Sequence, residues 1–445
     1  MDKLKVGIVS LGCDKNRIDS EIALGEIGKK YEIISDAKKA DIIIVNTCGF
    51  IETSKQESID AIIEMAEFKN EYNCTVLVAT GCLTQRYGQE LLDLIPEIDI
   101  LLGVNSYDKL LKSVDDFIIS KKQIFDITFS DKEINSGNRI ITTGKATAYI
   151  RISEGCDNLC TYCIIPKIRG KYRSRKIEDI VQEANQLASQ GVKELILVAQ
   201  DTTRYGEDLY GVKKLPELLK EISQIEKIQW IRVLYTYVEE ITEELINEIA
   251  ENQKICKYID MPIQHISNDI LKRMSRRGRK EDIIATIYKM REKIPGIALR
   301  TSLIVGFPGE TEEDFQELKD FVKEIRFDKL GVFKYSQEEN TPAAQMENQI
   351  DESVKIKREE EIMLLQQGIS KSINEKKKGT TFFVIVEGMK NDSYFGRNFE
   401  MSPEIDGAIY FKCDKLIKAG EIVEVKITNT LEYDLLGVVE DEPRQ

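Results

Sequence analysis

Residues 148–175 read AYIRISEGCDNLCTYCIIPKIRGKYRSR, and this stretch decides how the rest of the chain is understood. An apolar run, Ala148 to Ile152, passes into a loop that carries Cys156, Cys160 and Cys163 as C-x₃-C-x₂-C. Cubane iron–sulfur clusters are held by cysteine thiolates, and three so close together suit one. A closed site would need a fourth cysteine nearby, yet the next in sequence is Cys256. One iron is thereby left for a ligand from outside the protein. Structural zinc is the competing reading, but it too wants four ligands, and the only histidine is His265.

Upstream, one pattern occurs three times. KVGIVSLGC ends at Cys13, DIIIVNTC at Cys48 and TVLVATGC at Cys82. Each is a β-branched apolar run of buried parallel-strand type. Helical patterns separate them, at Asp19 to Lys29, Ser54 to Phe68 and Gln85 to Leu94. Alternation of this kind implies a parallel α/β sheet, whose ligands sit beyond the carboxyl ends of its strands. That topology would carry the three sulfurs to one rim, beside Gly12, Gly49 and Gly81, and a second three-thiolate cluster is expected there. The competing reading is three buried structural thiols, as Cys74 and Cys256 are expected to be. Lys121 to Gly144 reads as a linker with one short strand.

Downstream, strands are expected at 148–152, 194–200, 228–235, 258–263, 298–305 and 330–335, with helices between them. Six such units make a partial TIM-like barrel, with function at its carboxyl-terminal rim. That rim holds Gln200, Gln264, His265 and the stretch Ile304 to Glu310. The glycines of Gly306-Phe307-Pro308-Gly309-Glu310 also suit a plain turn before a helix. Two basic runs, Lys167 to Lys176 and Lys272 to Lys280, follow the rim and read as solvated faces or as a collar for anions. A charged helix, Asp351 to Lys378, leads into short strands with glycine turns, the pattern of a small β-barrel.

The chain has 63 Lys and Arg against 77 Asp and Glu, a net charge of −14. Such a protein is a poor generic polyanion binder, so RNA contact would need a local basic patch. Residues 380–445 hold seven basic and thirteen acidic side chains, net −6, which favours a basic protein partner over RNA. No signal-peptide pattern opens the chain and no apolar run has membrane-span length, so no membrane partner is expected. Nine cysteines in such a chain argue for a reducing, cytoplasmic setting and for metal over disulfides.

C-x₃-C-x₂-C after a strand resembles the radical S-adenosylmethionine (SAM) enzymes, and the flanking EGCDNLCTYCIIPKIRGKYRSR is similar to their methylthiotransferase branch. VSLGCDKNRIDSE, VNTCGFIETSKQESIDAI and ATGCLTQRYGQEL resemble the auxiliary-cluster domain of that branch, in the group that modifies ribosomal protein S-12. The resemblance implies an α/β multidomain chain. Its parts would be an N-terminal parallel α/β domain (1–117), a linker (118–141), a partial (β/α)₆ radical SAM barrel (142–373) and a small antiparallel β-barrel of TRAM type (374–443). It implies two [4Fe-4S] clusters, on Cys13, Cys48 and Cys82 and on Cys156, Cys160 and Cys163. SAM would be held near Gln200, Gln264, Ile304, Gly306, Gly309 and Glu310. The implied reaction is methylthiolation of an aspartate β-carbon in ribosomal protein S-12, with SAM as methyl donor and radical source and a flavodoxin or ferredoxin as electron donor. The same chemistry on a tRNA adenosine is the alternative, disfavoured by the acidic TRAM segment and by the residues after Cys13 and Cys48. A non-enzymatic electron carrier is a third reading, one that leaves the six-strand rim without a purpose.

Overall fold

Buried β-branched runs fix the first sheet. In the computed structural model, which describes residues 3–129 and 139–439, six parallel strands lie in the order β2-β1-β3-β4-β5-β6. They are β1 (Lys5–Ser10), β2 (Glu32–Ile33), β3 (Ile42–Thr47), β4 (Val76–Gly81), β5 (Ile100–Leu102) and β6 (Ile124–Asp126). Every residue of β3 and β4 is buried, because helices cover both faces. Helices α1 (Asp14–Ile27) and α4 (Tyr107–Ser120) pack on the face of Ile42, Ile44, Val76 and Val78. Helices α2 (Glu52–Glu71) and α3 (Cys82–Leu94) pack on the face of Ile43, Val45, Leu77 and Ala79. The strand expected within Lys121 to Gly144 is β6, the edge of this sheet; residues 130–138 of that linker lie outside the described residues.

Six more parallel strands curve into a partial barrel. They are β7 (Thr147–Arg151), β10 (Glu194–Val198), β11 (Trp230–Val233), β12 (Tyr258–Asp260), β13 (Ala298–Val305) and β14 (Lys329–Lys334). Strands β11-β10-β7 and β12-β13-β14 form two ladders, joined by a bridge between Ile231 and Ile255. Between β7 and β10, β8 (Ser153–Glu154) and β9 (Arg173–Ser174) pair antiparallel around α5 (Ile165–Arg169). Outer residues such as Ile150, Leu195 and Leu303 pack under helices α6 (Ile177–Ser189), α8 (Leu215–Ser223), α9 (Glu243–Glu251), α11 (Lys280–Lys293) and α12 (Glu312–Ile325). The short α7 (Glu207–Tyr210) and α10 (Asn268–Arg273) sit in rim loops.

An open barrel leaves a gap between β7 and β14, and the N-terminal domain covers it. On one side Arg151 of β7 meets Asp19 of α1 at 2.5 Å. On the other Arg86 of α3 meets Glu338, just past β14, at 2.9 Å. Apolar packing is continuous across the seam, from Ile18 and Ile22 of α1 to Tyr149, Ile196 and Val198 of the barrel interior.

Helix α13 (Glu352–Glu375) leads to the closed barrel β15-β16-β17-β19-β18. Its strands are β15 (Thr381–Lys390), β16 (Ser393–Arg397), β17 (Ile409–Lys412), β18 (Ile422–Thr430) and β19 (Leu435–Val439). Four of its seams are antiparallel, and β17 runs parallel to β19. This small barrel seals the amino-terminal mouth of the large one. Arg397 reaches Glu194, the first residue of β10, at 2.6 Å, and Asp406 accepts from the Tyr258 hydroxyl at the start of β12. Burial would push the Glu194 carboxyl up, but Arg397 and Arg232 outweigh it and hold it down at about 2.

Removing Glu194 would leave the buried Arg232 without its anion and Arg397 with only the more exposed Glu387. Glu194→Ala should cost about 3–5 kcal/mol, seen as a lowered Tm of the full chain. A chain ended at Lys378 loses Arg397, uncovers Glu194 and Arg232, and should melt lower as well. Because the folded-state pKa is depressed, the Glu194 contribution is whole above the ordinary glutamate value of about 4.3 and fades as pH falls through about 2. Limited proteolysis near residue 379 should accelerate over that acid window.

Candidate iron–sulfur and cofactor site

The barrel cysteines sit on a loop that folds back on itself. Cys156 N–H donates to Gly170 carbonyl at 3.1 Å, and Cys163 N–H to Cys160 carbonyl at 3.0 Å. Thr161 anchors the middle, its N–H donating to Met274 carbonyl at 3.1 Å and its hydroxyl to Arg273 carbonyl at 2.9 Å. Gly155 makes the fold-back possible: it has φ +77°, and a Cβ there would lie 2.1 Å from Lys171 carbonyl oxygen. Burial pushes the Cys156 thiol up to about 11 and that of Cys163 higher still. The Tyr237 hydroxyl lies 4.0 Å from Cys160 Sγ.

The other three cysteines meet at the carboxyl ends of β1, β3 and β4. Cys13 is the residue before α1, and Cys82 is the first residue of α3. Both helices begin at the thiol, earlier than the apolar periodicity indicates, and a helix amino terminus favours a thiolate. Gly12 lies so near Cys48 that a Cβ on it would be 2.9 Å from Cys48 Sγ. Asn16 ties the loops together, its Nδ2 donating to Leu11 and Thr47 carbonyls at 3.0 and 2.8 Å. Burial raises the thiols of Cys48 and Cys82, the latter to about 12. Cys13 is exposed.

One guanidinium joins the two loops. Arg169, at the end of α5, donates to Asp19 Oδ2 at 2.9 Å, Asn16 Oδ1 at 2.7 Å and Glu154 Oε2 at 2.9 Å. Its Nη2 also stands 3.5 Å from Cys82 Sγ. Arg151 Nη1 completes the square, 2.5 Å from Asp19 and 2.8 Å from Glu154. These four charged side chains are at most 2 % exposed. Burial would push the Glu154 carboxyl up; Arg169 and Arg151 hold it below the usual carboxylate range. Cys82 also packs with Ile164 and Ile168, next along the chain from Cys163. The two trios are therefore neighbours on one rim.

The remaining sequence candidates fall into place around them. Gln200 Nε2 donates to Glu154 Oε1 at 2.8 Å, while its own Oε1 is buried without a partner among the described residues. Gln264 has φ +76° and joins β13 through Ser302 and Ile304 at 2.9 and 2.7 Å. Ile304 packs beside Phe307 and Tyr335. A Cβ on Gly306 would strike Lys355, and one on Gly309 the Arg273 guanidinium. Glu310 turns inward and accepts the N–H groups of Gly306 and Phe307; burial lifts its carboxyl to about 7. His265 is fully buried, accepts Ser267 N–H on Nδ1 at 3.0 Å, and is kept neutral by burial.

Three arginines of the basic runs are turned inward, while Lys167, Lys171, Lys176, Lys272, Arg277 and Arg279 stay exposed. Arg169, Arg175 and Arg276 are 2, 6 and 8 % exposed. Arg175 pairs with Glu183 at 2.6 Å, and Arg276 lies over the Tyr237 ring, 4.1 Å from its centroid. Their acidic partners lie on other elements, which a local charge count does not show. The role of Arg169 was missed for the same reason.

The donor sets suit iron–sulfur clusters. Each trio is made of thiols alone, and five of the six thiols are buried or half-buried, Cys13 being the exposed one. Among the described residues no three Cys, His, Asp or Glu side chains close on a point that one ion could occupy. Thiolates on a single zinc would be drawn to about 2.3 Å from it, whereas a cubane takes each on a separate iron.

A parallel six-strand barrel with C-x₃-C-x₂-C beyond its first strand is a radical SAM architecture. The radical SAM superfamily profile matches residues 150–322, Uncharacterized protein family UPF0004 residues 5–103 and the TRAM domain residues 379–439. The fold is similar to the radical SAM methyltransferase TsrM of Kitasatospora setae, with TM-score 0.58 at 12% identity, covering 89% of this chain and 77% of that one. Curated relatives align from end to end. The ribosomal protein uS12 methylthiotransferase RimO of Clostridium botulinum strain Hall is 63% identical over 99% of both chains. That of Clostridium novyi strain NT is 62% identical over 100% of both. The chain belongs to the uS12 methylthiotransferase family of radical SAM enzymes. No helix among the described residues is long and apolar enough to cross a membrane.

Arg169→Met would leave Asp19 and Glu154 sharing Arg151 alone. The expected loss is about 3–5 kcal/mol, read as a lower Tm of the iron-free chain. Arg169→Lys should recover little of it, because an ammonium cannot span the same acceptors.

Proposed function

We propose that this chain places a methylthio group on the β-carbon of an aspartate in ribosomal protein uS12. The observation that carries the reading is the meeting of two cysteine trios on one rim, in a chain that aligns end to end with uS12 methylthiotransferases. Cys156, Cys160 and Cys163 would hold one [4Fe-4S] cluster, and Cys13, Cys48 and Cys82 the other. When bound, the clusters and SAM supply reductive cleavage of the sulfonium, hydrogen removal from carbon and a sulfur that accepts methyl.

The chain's own residues position and insulate. The fold-back at Gly155 aims three thiols at the rim, and Thr161 pins the loop against α10. The free Oε1 of Gln200 offers an acceptor to the ammonium group of SAM. Gln264, Ile304, Gly306 and Gly309 form the opposite wall, and Glu310 braces it by holding the Gly306 and Phe307 amides. A reductant of flavodoxin or ferredoxin type would meet the exposed side of the rim. The setting is the cytoplasm, where ribosomal proteins are assembled. The acidic surface of the TRAM barrel argues against bare tRNA as the substrate.

Anaerobically reconstituted protein should hold about eight irons per chain. Replacing Cys156, Cys160 and Cys163 by Ala should leave about half the iron and abolish SAM cleavage. Replacing Cys13, Cys48 and Cys82 by Ala should leave about half the iron and preserve SAM cleavage, with no methylthio transfer. Mass spectrometry of uS12 and of bulk tRNA, each incubated with the enzyme, should find the added group on uS12 alone; finding it on tRNA would overturn the substrate reading.

A further inference from the structure

Among the described residues, the rim contains a buried cation with no anion within ion-pair distance. Lys15 lies in the first turn of α1, two residues after Cys13, and is 7 % exposed. Its ammonium stands 3.2 Å from the centroid of the Tyr235 ring. It makes no ion pair and no hydrogen bond among the described residues, and the nitrogen is not sealed from solvent. Neither carboxylate that meets Tyr235 pairs with Lys15. Asp14 accepts the Tyr235 hydroxyl at 2.9 Å. Asp260 accepts Tyr235 N–H at 2.9 Å and Arg300 at 2.7 Å. A ring face compensates a desolvated ammonium only in part, at roughly 0.5–2 kcal/mol, while burying a charge without an opposite charge costs more.

We infer that Lys15 is the substrate-recognition residue, and that its ammonium takes the carboxylate of the aspartate to be modified. The inference rests on the proposed function and extends it. Lys15, two residues from Cys13 and on the ring of Tyr235, marks a strip that starts at one trio. Two residues beyond, Tyr237 reaches Cys160. A carbon that is to lose hydrogen near one trio and gain sulfur near the other must sit on that strip. In aspartate the carboxylate is bonded directly to that carbon, so fixing the one fixes the other. Tyr235 holds the ammonium in place with a backbone φ of +60°, which a bulky side chain rarely adopts and which suggests a position constrained for a purpose. The positive end of α1 adds to the preference for an anion. An adenine edge carries no charge to meet such a group.

The test uses the holoenzyme with isolated uS12, and with uS12 in which the modified aspartate, located by mass spectrometry, is replaced by asparagine. Dissociation constants are measured for both, with iron content determined for every protein. Wild type should bind the aspartyl form about tenfold or more tighter, as expected for a charge-assisted hydrogen bond. Lys15→Met should bind the two forms within about twofold, and Lys15→Arg should keep part of the preference. A wild type indifferent to the asparagine form, or a Lys15→Met protein as selective as wild type, would overturn the assignment alone. A wild type that modifies no aspartate of uS12 would overturn the functional reading and this inference with it.

Discussion

Two arginines and two carboxylates, buried where α1 meets β7, set the terms for the rest of the molecule. Arg151 and Arg169 share Asp19 and Glu154 at 2.5–2.9 Å. Interfaces between domains of one chain usually allow relative motion. A hydrogen-bonded ionic square with at most 2 % exposure does not tolerate sliding, because any shift leaves a charge desolvated and unpaired. Such a square contributes less to net stability than its Coulomb energy suggests. Its contribution is register: it fixes the loop of Cys82 against the loop that follows Cys163, so that the two trios keep one relation to each other.

The covered gap of the barrel follows from this. Six parallel strands cannot close by themselves, and the interior would otherwise open to water between β7 and β14. Helices α1 and α3 take up that space, tied on one side through Asp19 and on the other through Arg86 and Glu338. The N-terminal domain thus completes the wall of the barrel and also delivers Cys13, Cys48 and Cys82 to its rim.

Much of this was legible in the sequence because it is encoded locally. β-Branched apolar runs marked the strands, and the six cysteines stand out because each ends a strand or crowds one loop. What escaped was set by distance along the chain. Arg169 reads as one member of an exposed basic run, since Asp19 lies 150 residues away. Arg397 counts as one more cation of an acidic module, though it is buried and shared between Glu194 and Glu387. Lys15 could be read only as a charged residue after a cysteine, because its isolation depends on which carboxylates Tyr235 and Arg300 occupy. Glu310 follows β13 as its place in the sequence indicates, yet its carboxylate points back into the turn after that strand.

The small barrel at the amino-terminal mouth has a consequence for traffic. With Arg397, Asn398 and Asp406 docked beneath β10, β11 and β12, the large barrel is a cup with a floor. Everything that reacts there must enter, and everything spent must leave, over the same lip. An arriving protein loop would then lie across the exit of whatever preceded it, which makes the order of arrivals and departures a property of the fold as well as of affinity.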